Sequence, residues 1–212
     1  MEYKRFPLGP LWTNGYLFYD SQGKGFFVDP GGDPADVLTF LDEHSIRLEW
    51  ILLTHAHIDH IGGIPELAPL ASLGVALSKN DSELLRNPDL NLSHWMGLDF
   101  PGWEPAKLLS DEDELNIGEF IVKVIATPGH TPGSVCYLIS LGEEQLLVSG
   151  DTLFARSVGR TDLPGGDGRQ LTSSLKKLVT LPDGMLVLPG HGPETTIGQE
   201  REANPFWPKG LQ

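Results

Sequence analysis

Apolar positions along the chain recur in two rhythms. Compact or alternating runs read as strands, and apolar positions three and four apart read as helix faces. Residues 16–19 and 25–29 flank the turn-forming 21–23 and predict a hairpin. Asp33 as an N-cap, with Pro34 opening the helix, predicts a helix to about Ser45 that buries Val37, Leu38 and Leu41. Residues 49–54 form a compact apolar run, read as a buried strand, and it stops directly at His55. A helix is expected over 64–73, with Pro65 tolerated in its first turn, and a shorter one over 80–86.

Segment 87–105 breaks the rhythm. It carries Trp95, Met96, Phe100 and Trp103 among Pro and Gly, and reads as a lid loop or as a loop packed on the core. Strands are expected at 119–127, 134–140 and 145–149, with a hairpin turn at 142–144. Helical spacing returns at 171–181, a buried strand at 185–188, and a closing helix at 194–203. Strands thus fall in two blocks with helices around each. This suggests two sheets packed together and flanked by helices, within one domain covering 1–212.

Composition narrows the function. Hydrophobic residues make up 40% of the 212, enough for a sizeable core. The net charge of −14 repels phosphate backbones, which speaks against a nucleic-acid partner. No apolar stretch is long enough for a membrane span and the first residues lack an apolar leader core, so the expected location is the cytoplasm, with no membrane partner. The lone Cys136 excludes an intramolecular disulfide and, in its apolar run, reads as a small core residue. Oligomeric state is left open.

The chemistry concentrates in Thr54-His55-Ala56-His57-Ile58-Asp59-His60. Four imidazole or carboxylate side chains lie just beyond a buried strand, and these are the usual protein ligands of zinc and similar ions. His55 and His57 share a direction only in an extended or turning backbone, whereas His57 and His60 are spaced as one helical turn allows. Three more such groups follow other apolar runs, each beside glycine: His130 in Pro128-Gly129-His130-Thr131-Pro132-Gly133, Asp151 in Ser149-Gly150-Asp151-Thr152, and His191 in Pro189-Gly190-His191-Gly192-Pro193. Each alone would pass for an ordinary hydrogen-bonding residue. Together they hold five of the seven histidines. His44 reads as a helix-end residue, and His94 lies in segment 87–105. Thr54, Thr127 and Thr131 are candidates to orient the histidines.

The Thr54–His60 run, with His130, Asp151 and His191 in this order, resembles the metallo-β-lactamase superfamily. The resemblance extends from Asp29-Pro30-Gly31 to Gly190-His191-Gly192. It implies an α/β fold, a four-layer αβ/βα sandwich of two mixed β-sheets flanked by helices, with two divalent metal ions at one sheet edge. Zn is the default, with Fe or Mn as other choices. His55, His57 and His130 would hold one ion, Asp59, His60 and His191 the other, and Asp151 both. Gly150-Asp151-Thr152-Leu153-Phe154 and Gly159-Arg160-Thr161-Asp162 resemble short bacterial glyoxalase II-like proteins, which implies a small-molecule thioester as substrate. A metal-bridging hydroxide oriented by Asp59 would attack the thioester carbonyl, and Arg160 would contact an anionic part of the substrate.

An Asp at 151 argues against the antibiotic-hydrolysing branch, which has cysteine there. Longer glyoxalase II enzymes carry a C-terminal helical region with glutathione-binding basic residues, whereas the residues after His191 here include only Arg201 and Lys209 as basic groups, so the resemblance does not extend to glutathione recognition. Gly159-Arg160-Thr161-Asp162 resembles a segment of persulfide dioxygenase-like proteins as well, which share the fold. That reading implies a single iron on His55, His130 and Asp151. Hydrolysis of another ester or a lactone is a further alternative.

Overall fold

The computed structural model describes residues 1–208, so Lys209 lies outside it. In chain order the strands of the first sheet are β1 (Tyr3–Leu8), β2 (Thr13–Tyr19), β3 (Lys24–Val28), β4 (Arg47–Leu52), β5 (Val75–Ser78) and β6 (Lys107–Leu109), with neighbours in space in that same order. The β1/β2 and β2/β3 pairs are antiparallel, and the pairs from β3 to β6 are parallel. Helices α1 (Ala35–Glu43), α2 (Ile58–Ile61), α3 (Ile64–Leu67), α4 (Ser82–Arg86) and α5 (Ser93–Met96) lie between these strands.

The chain then lays down β7 (Glu114–Ile117), β8 (Phe120–Ala126), β9 (Val135–Leu141) and β10 (Glu144–Gly150), followed by the small hairpin β11 (Leu153–Phe154) and β12 (Ser157–Val158). Helix α6 (Gly168–Leu178), β13 (Leu186–Pro189), β14 (Thr195–Thr196) and α7 (Ile197–Ala203) complete it. The second sheet has the order β14-β13-β10-β9-β8-β7, antiparallel except for the parallel β10/β13 pair.

The period-two alternation of side chains explains the layers. Tyr16, Phe18, Phe26, Val28 and Leu52 point from the first sheet into a central core, where they meet Phe120, Val122, Val124, Tyr137, Ile139 and Val148 of the second. The intervening positions Leu17, Phe27, Ile51 and Leu53 face outward and are covered by Val37 and Leu41 of α1 together with Ile58, Ile61 and Ile64. On the far side Cys136, Leu147 and Val187 pack against Leu175, Leu178 and Ile197 of the last helices. Three apolar layers between four structural layers give the expected αβ/βα sandwich, with Cys136 in the core.

Several elements differ from expectation. The helix expected over 64–73 ends at Leu67 and passes into a 3-10 turn through Leu70. Pro69 explains this, because inside a helix it removes a hydrogen bond and its ring collides with the preceding turn. The stretch 194–203 begins as strand β14, with Thr196 capping α7 by accepting from Gln199 N at 3.2 Å. Strands β1, β5, β6 and β7 were not anticipated. In segment 87–105, Phe100 is buried and Leu90, Leu92, Met96 and Trp103 pack on the outer core, while Trp95 projects into solvent. Among the described residues, no helix is long and apolar enough to cross a membrane.

Candidate metal centre

Strands β8, β10 and β13 run in one direction, so their C-terminal ends share an edge of the second sheet. His130, Asp151 and His191 lie just beyond those three ends, and His55 and His57 lie just beyond β4 of the first sheet. Asp59 and His60 sit on the single turn of α2 that follows. The two sheets are stitched together at this edge by buried groups. Tyr137 Oη donates to Leu53 O at 2.7 Å, Tyr16 Oη donates to Pro189 O at 2.8 Å, and Val135 N donates to Thr54 O at 2.9 Å. Gly190 admits the carboxylate, since a Cβ there would collide with Asp151 Oδ1 and with the His60 ring.

All seven residues converge. His55, His57 and His130 present ligand nitrogens within 4.8 Å of one another, and the nitrogens and carboxylate oxygens of His55, His60 and Asp151, and of Asp59, His60 and His191, lie equally close. Asp151 stands between the halves, with Oδ1 3.4 Å from His60 Nε2 and Oδ2 3.5 Å from His130 Nε2 and 3.6 Å from His191 Nε2. Asp59 Oδ2 lies 3.1 Å from His191 Nε2 and accepts a hydrogen bond from Thr13 Oγ1 at 3.2 Å.

The hydrogen-bond partners set three tautomers. His130 Nδ1 is 2.8 Å from the Arg160 carbonyl, which only accepts, so this nitrogen carries the proton. His60 Nδ1 donates to Asp29 Oδ2 at 2.9 Å. Thr54 donates its hydroxyl to Asp29 Oδ2 at 2.6 Å, so at 3.2 Å it accepts from His55 Nδ1. In their neutral forms His55 and His130 then keep the lone pair on Nε2, whereas His60, raised by three carboxylates, would release its Nε2 proton on binding a cation. His57 Nδ1 lies 2.9 Å from His130 Nε2.

Burial, with the neighbouring imidazoles, holds His55 well below the usual histidine range, and burial with His130 beside it takes His57 down to about 3. Burial pulls His60 down as well, but Asp59, Asp151 and Asp29 outweigh it and raise the ring. For Asp59 burial pushes upward, and His60 with the His191 hydrogen bond reverses it to well below the carboxylate range. Neutral imidazoles and ionised carboxylates are the forms that bind a cation. The fit is sharpest at the buried atoms. His55 Nε2, His57 Nε2, His60 Nε2 and Asp151 Oδ1 have no hydrogen-bond partner, an expensive condition that a divalent ion would relieve.

Of the three threonines expected to orient histidines, only Thr54 does so. Thr127 bonds Thr152 at 2.8 Å, and Thr131 bonds Asp81 at 2.7 Å and Ser134 at 2.8 Å. Asp29 was not singled out, although it serves both His60 and Thr54 and holds the left-handed backbone conformation with φ 55°. A lone Asp ending a strand run carries no signal of that duty in sequence. Arg160 is exposed, and its guanidinium is taken up by Asp162 in a two-point pair at 2.7 and 2.8 Å, with Asp162 held down to about 2. Its carbonyl, rather than its charge, touches the centre. His44 stacks on Phe40 and His94 pairs with Asp89 in solvent.

The family model of the metallo-beta-lactamase superfamily matches residues 8–191, and the chain belongs to that superfamily. It is 40% identical to the probable metallo-hydrolase YqgX of Bacillus subtilis over 97% of each chain. It is 32% identical to the hydroxyacylglutathione hydrolase GloC of Haemophilus influenzae, over 97% of this chain and 98% of the relative. Among solved structures it is similar to the BLEG-1 B3 metallo-beta-lactamase at 43% identity and TM-score 0.90, covering 97% and 99% of the two chains. TTHA1623 in a di-iron-bound form matches at 39% and TM-score 0.84, covering 96% and 99%. ETHE1 from Myxococcus xanthus matches at 30% and TM-score 0.79, covering 97% and 84%. The BLEG-1 similarity weakens the argument from Asp151 against lactamases, because a protein so named lies this near. The chain is thus a metal-binding hydrolase-fold protein of this superfamily.

Proposed function

We propose that the chain is a binuclear metallohydrolase of small thioesters, of the hydroxyacylglutathione hydrolase type. His55, His57 and His130 hold one divalent ion, Asp59, His60 and His191 a second, and Asp151 is shared. Zinc is the default. The similarity to the di-iron-bound TTHA1623 makes iron the next choice, with manganese after it. The observation that carries the reading is the gathering of seven ligand-type side chains into three overlapping groups, with buried polar atoms of His55, His57, His60 and Asp151 left without a hydrogen-bond partner. The similarity to GloC supports the thioester. The buried free Cys136 suits the reducing conditions of the cytoplasm.

Bound ions of this kind supply a nucleophile from water near neutral pH and polarise a carbonyl. The protein contributes the rest. Thr13 and His191 hold Asp59 Oδ2 from two sides, so its ionised carboxylate is aimed to bind a metal ion and to orient the attacking water. Asp29 keeps the His60 and His55 rings in register. A departing thiolate has a pKa near about 8.5 and leaves without a general acid.

A hydrolysis screen with S-lactoylglutathione, an uncharged acyl thioester, a lactone and a β-lactam tests this reading. The expected order places a thioester first. A faster lactone or β-lactam would replace the substrate class and keep the metal centre. The alternative dioxygenase chemistry needs only His55, His130 and Asp151, and leaves His57, Asp59, His60 and His191 without a task. Oxygen consumption with a persulfide substrate separates the two.

A further inference from the structure

Asp81 is a fully buried carboxylate whose hydrogen-bond partners are none of the seven convergent residues. It ends the 3-10 turn Lys79–Asp81 that follows β5. Its Oδ2 accepts from Ala56 N at 3.1 Å and from Thr131 Oγ1 at 2.7 Å, and its Oδ1 accepts from Gly133 N at 2.6 Å. Ala56 stands between His55 and His57, and Thr131 follows His130. One side chain therefore ties the ligand loop of the first sheet to that of the second, at the half of the centre made only of imidazoles.

The His130 loop is itself braced. Thr131 N donates to Ser134 Oγ at 3.0 Å, and the two hydroxyls lie 2.8 Å apart. It therefore moves as a unit with whatever holds Thr131 and Gly133. Gly133 permits the contact, because a Cβ there would fall 2.5 Å from Asp81 N and 2.6 Å from its Oδ1. Burying a carboxylate is costly, and apolar side chains of similar size commonly stabilise a fold as well or better. Here all three of its donors belong to the two ligand loops, so its cost is offset only where those loops meet.

We propose that Asp81 is a positioning residue for the three-histidine half, fixing the gap between the His55–His57 loop and His130 and so setting that half's affinity for a divalent cation. The proposal rests on the reading of these histidines as a metal centre. Asp81 acts through loop geometry and does not meet the ion. Asn at this position has a single acceptor oxygen and cannot serve both the Gly133 side and the Ala56–Thr131 side.

The test is a Zn²⁺ titration of the metal-free full chain against a competing chelating dye, with melting curves of the metal-free forms beside it. Wild type, Asp81→Asn, Gly133→Ala, His130→Ala and the Asp81→Asn/His130→Ala double variant are compared. Asp81→Asn should weaken by roughly ten- to a hundredfold the same binding step that His130→Ala weakens, and leave the other unchanged. Gly133→Ala, which keeps the carboxylate, should weaken that step too, and it carries the test if Asp81→Asn does not fold. The double variant should lose no more than His130→Ala alone, since Asp81 then has no ligand to place. A lowered melting point with both binding steps intact, or equal weakening of both steps, would overturn the proposal and leave the metal centre standing. Two intact steps in His130→Ala would instead remove the metal centre, and this proposal with it.

Discussion

His55, His57 and His130 are all imidazoles and all buried, whereas Asp59, His60 and His191 include a carboxylate and reach solvent through His191, whose side chain is 28% exposed. The first group has no opposite charges within it and one internal hydrogen bond, between His57 and His130. Burial, with the neighbouring imidazoles, lowers His55 and His57, and the Arg160 carbonyl and the two loops hold the group from outside. The second group organises itself, because Asp59 draws both His60 and His191 towards it. A half made only of imidazoles binds a cation by placement, and a half with a carboxylate binds it partly by attraction, so the two should fail in different ways when altered.

Asp151 belongs to both halves, and Asp151→Ala should have the largest effect. Both ions should be lost, and the thioester rate should fall by at least about a thousandfold, the scale of removing a group that stabilises a transition state. Metal analysis and steady-state kinetics read this directly, and full metal content with a near-normal rate would undo the assignment. Single-half variants sharpen the contrast. His130→Ala should empty one site and spare the other, and His191→Ala should do the reverse, leaving close to one equivalent in each case. Loss of both ions from either variant would show one cooperative cluster in place of two halves.

Removal of metal probes the same difference through stability. An ion that binds only the folded chain stabilises it by about 4 kcal/mol when present at a thousand times its Kd. For a chain of this size that is a fall in Tm of roughly 8–16 °C on chelation. Calorimetry checks it, and Zn²⁺ added back should restore the Tm. An unchanged Tm would mean that no tightly held ion was removed.

The smallest effect concerns Arg160. Its charge is already shared with Asp162, so Arg160→Ala should raise KM for a glutathione thioester by no more than about tenfold, within the range of one charged hydrogen bond. An uncharged thioester should be unaffected. Asp162→Ala should lower KM for the anionic substrate by freeing the guanidinium. Equal losses on both substrates in Arg160→Ala would assign the residue to holding His130 through its carbonyl.

What could be read in the sequence was whatever depends on local spacing. The apolar alternation of 119–127, 134–140 and 145–149 located three strands of the second sheet, because each is long and one face is buried. Strands β5 and β6 are four and three residues long, too short for a period to register. All seven convergent residues were legible because each follows an apolar run and sits in a short motif. The residues that orient them were not. Asp29 lies 31 positions from His60, and Asp81 lies 50 from Thr131, so only the folded chain brings them together. Arg160 shows a second limit: the sequence pointed to its side chain, while the bond of its carbonyl to His130 appears only in the folded chain.

If seven residues form one centre for two ions, metal analysis of the full chain, purified without chelator, should give close to two equivalents of divalent metal per chain, zinc foremost. A reproducible value near one equivalent, all of it iron, would contradict this and turn the site over to the single-iron reading.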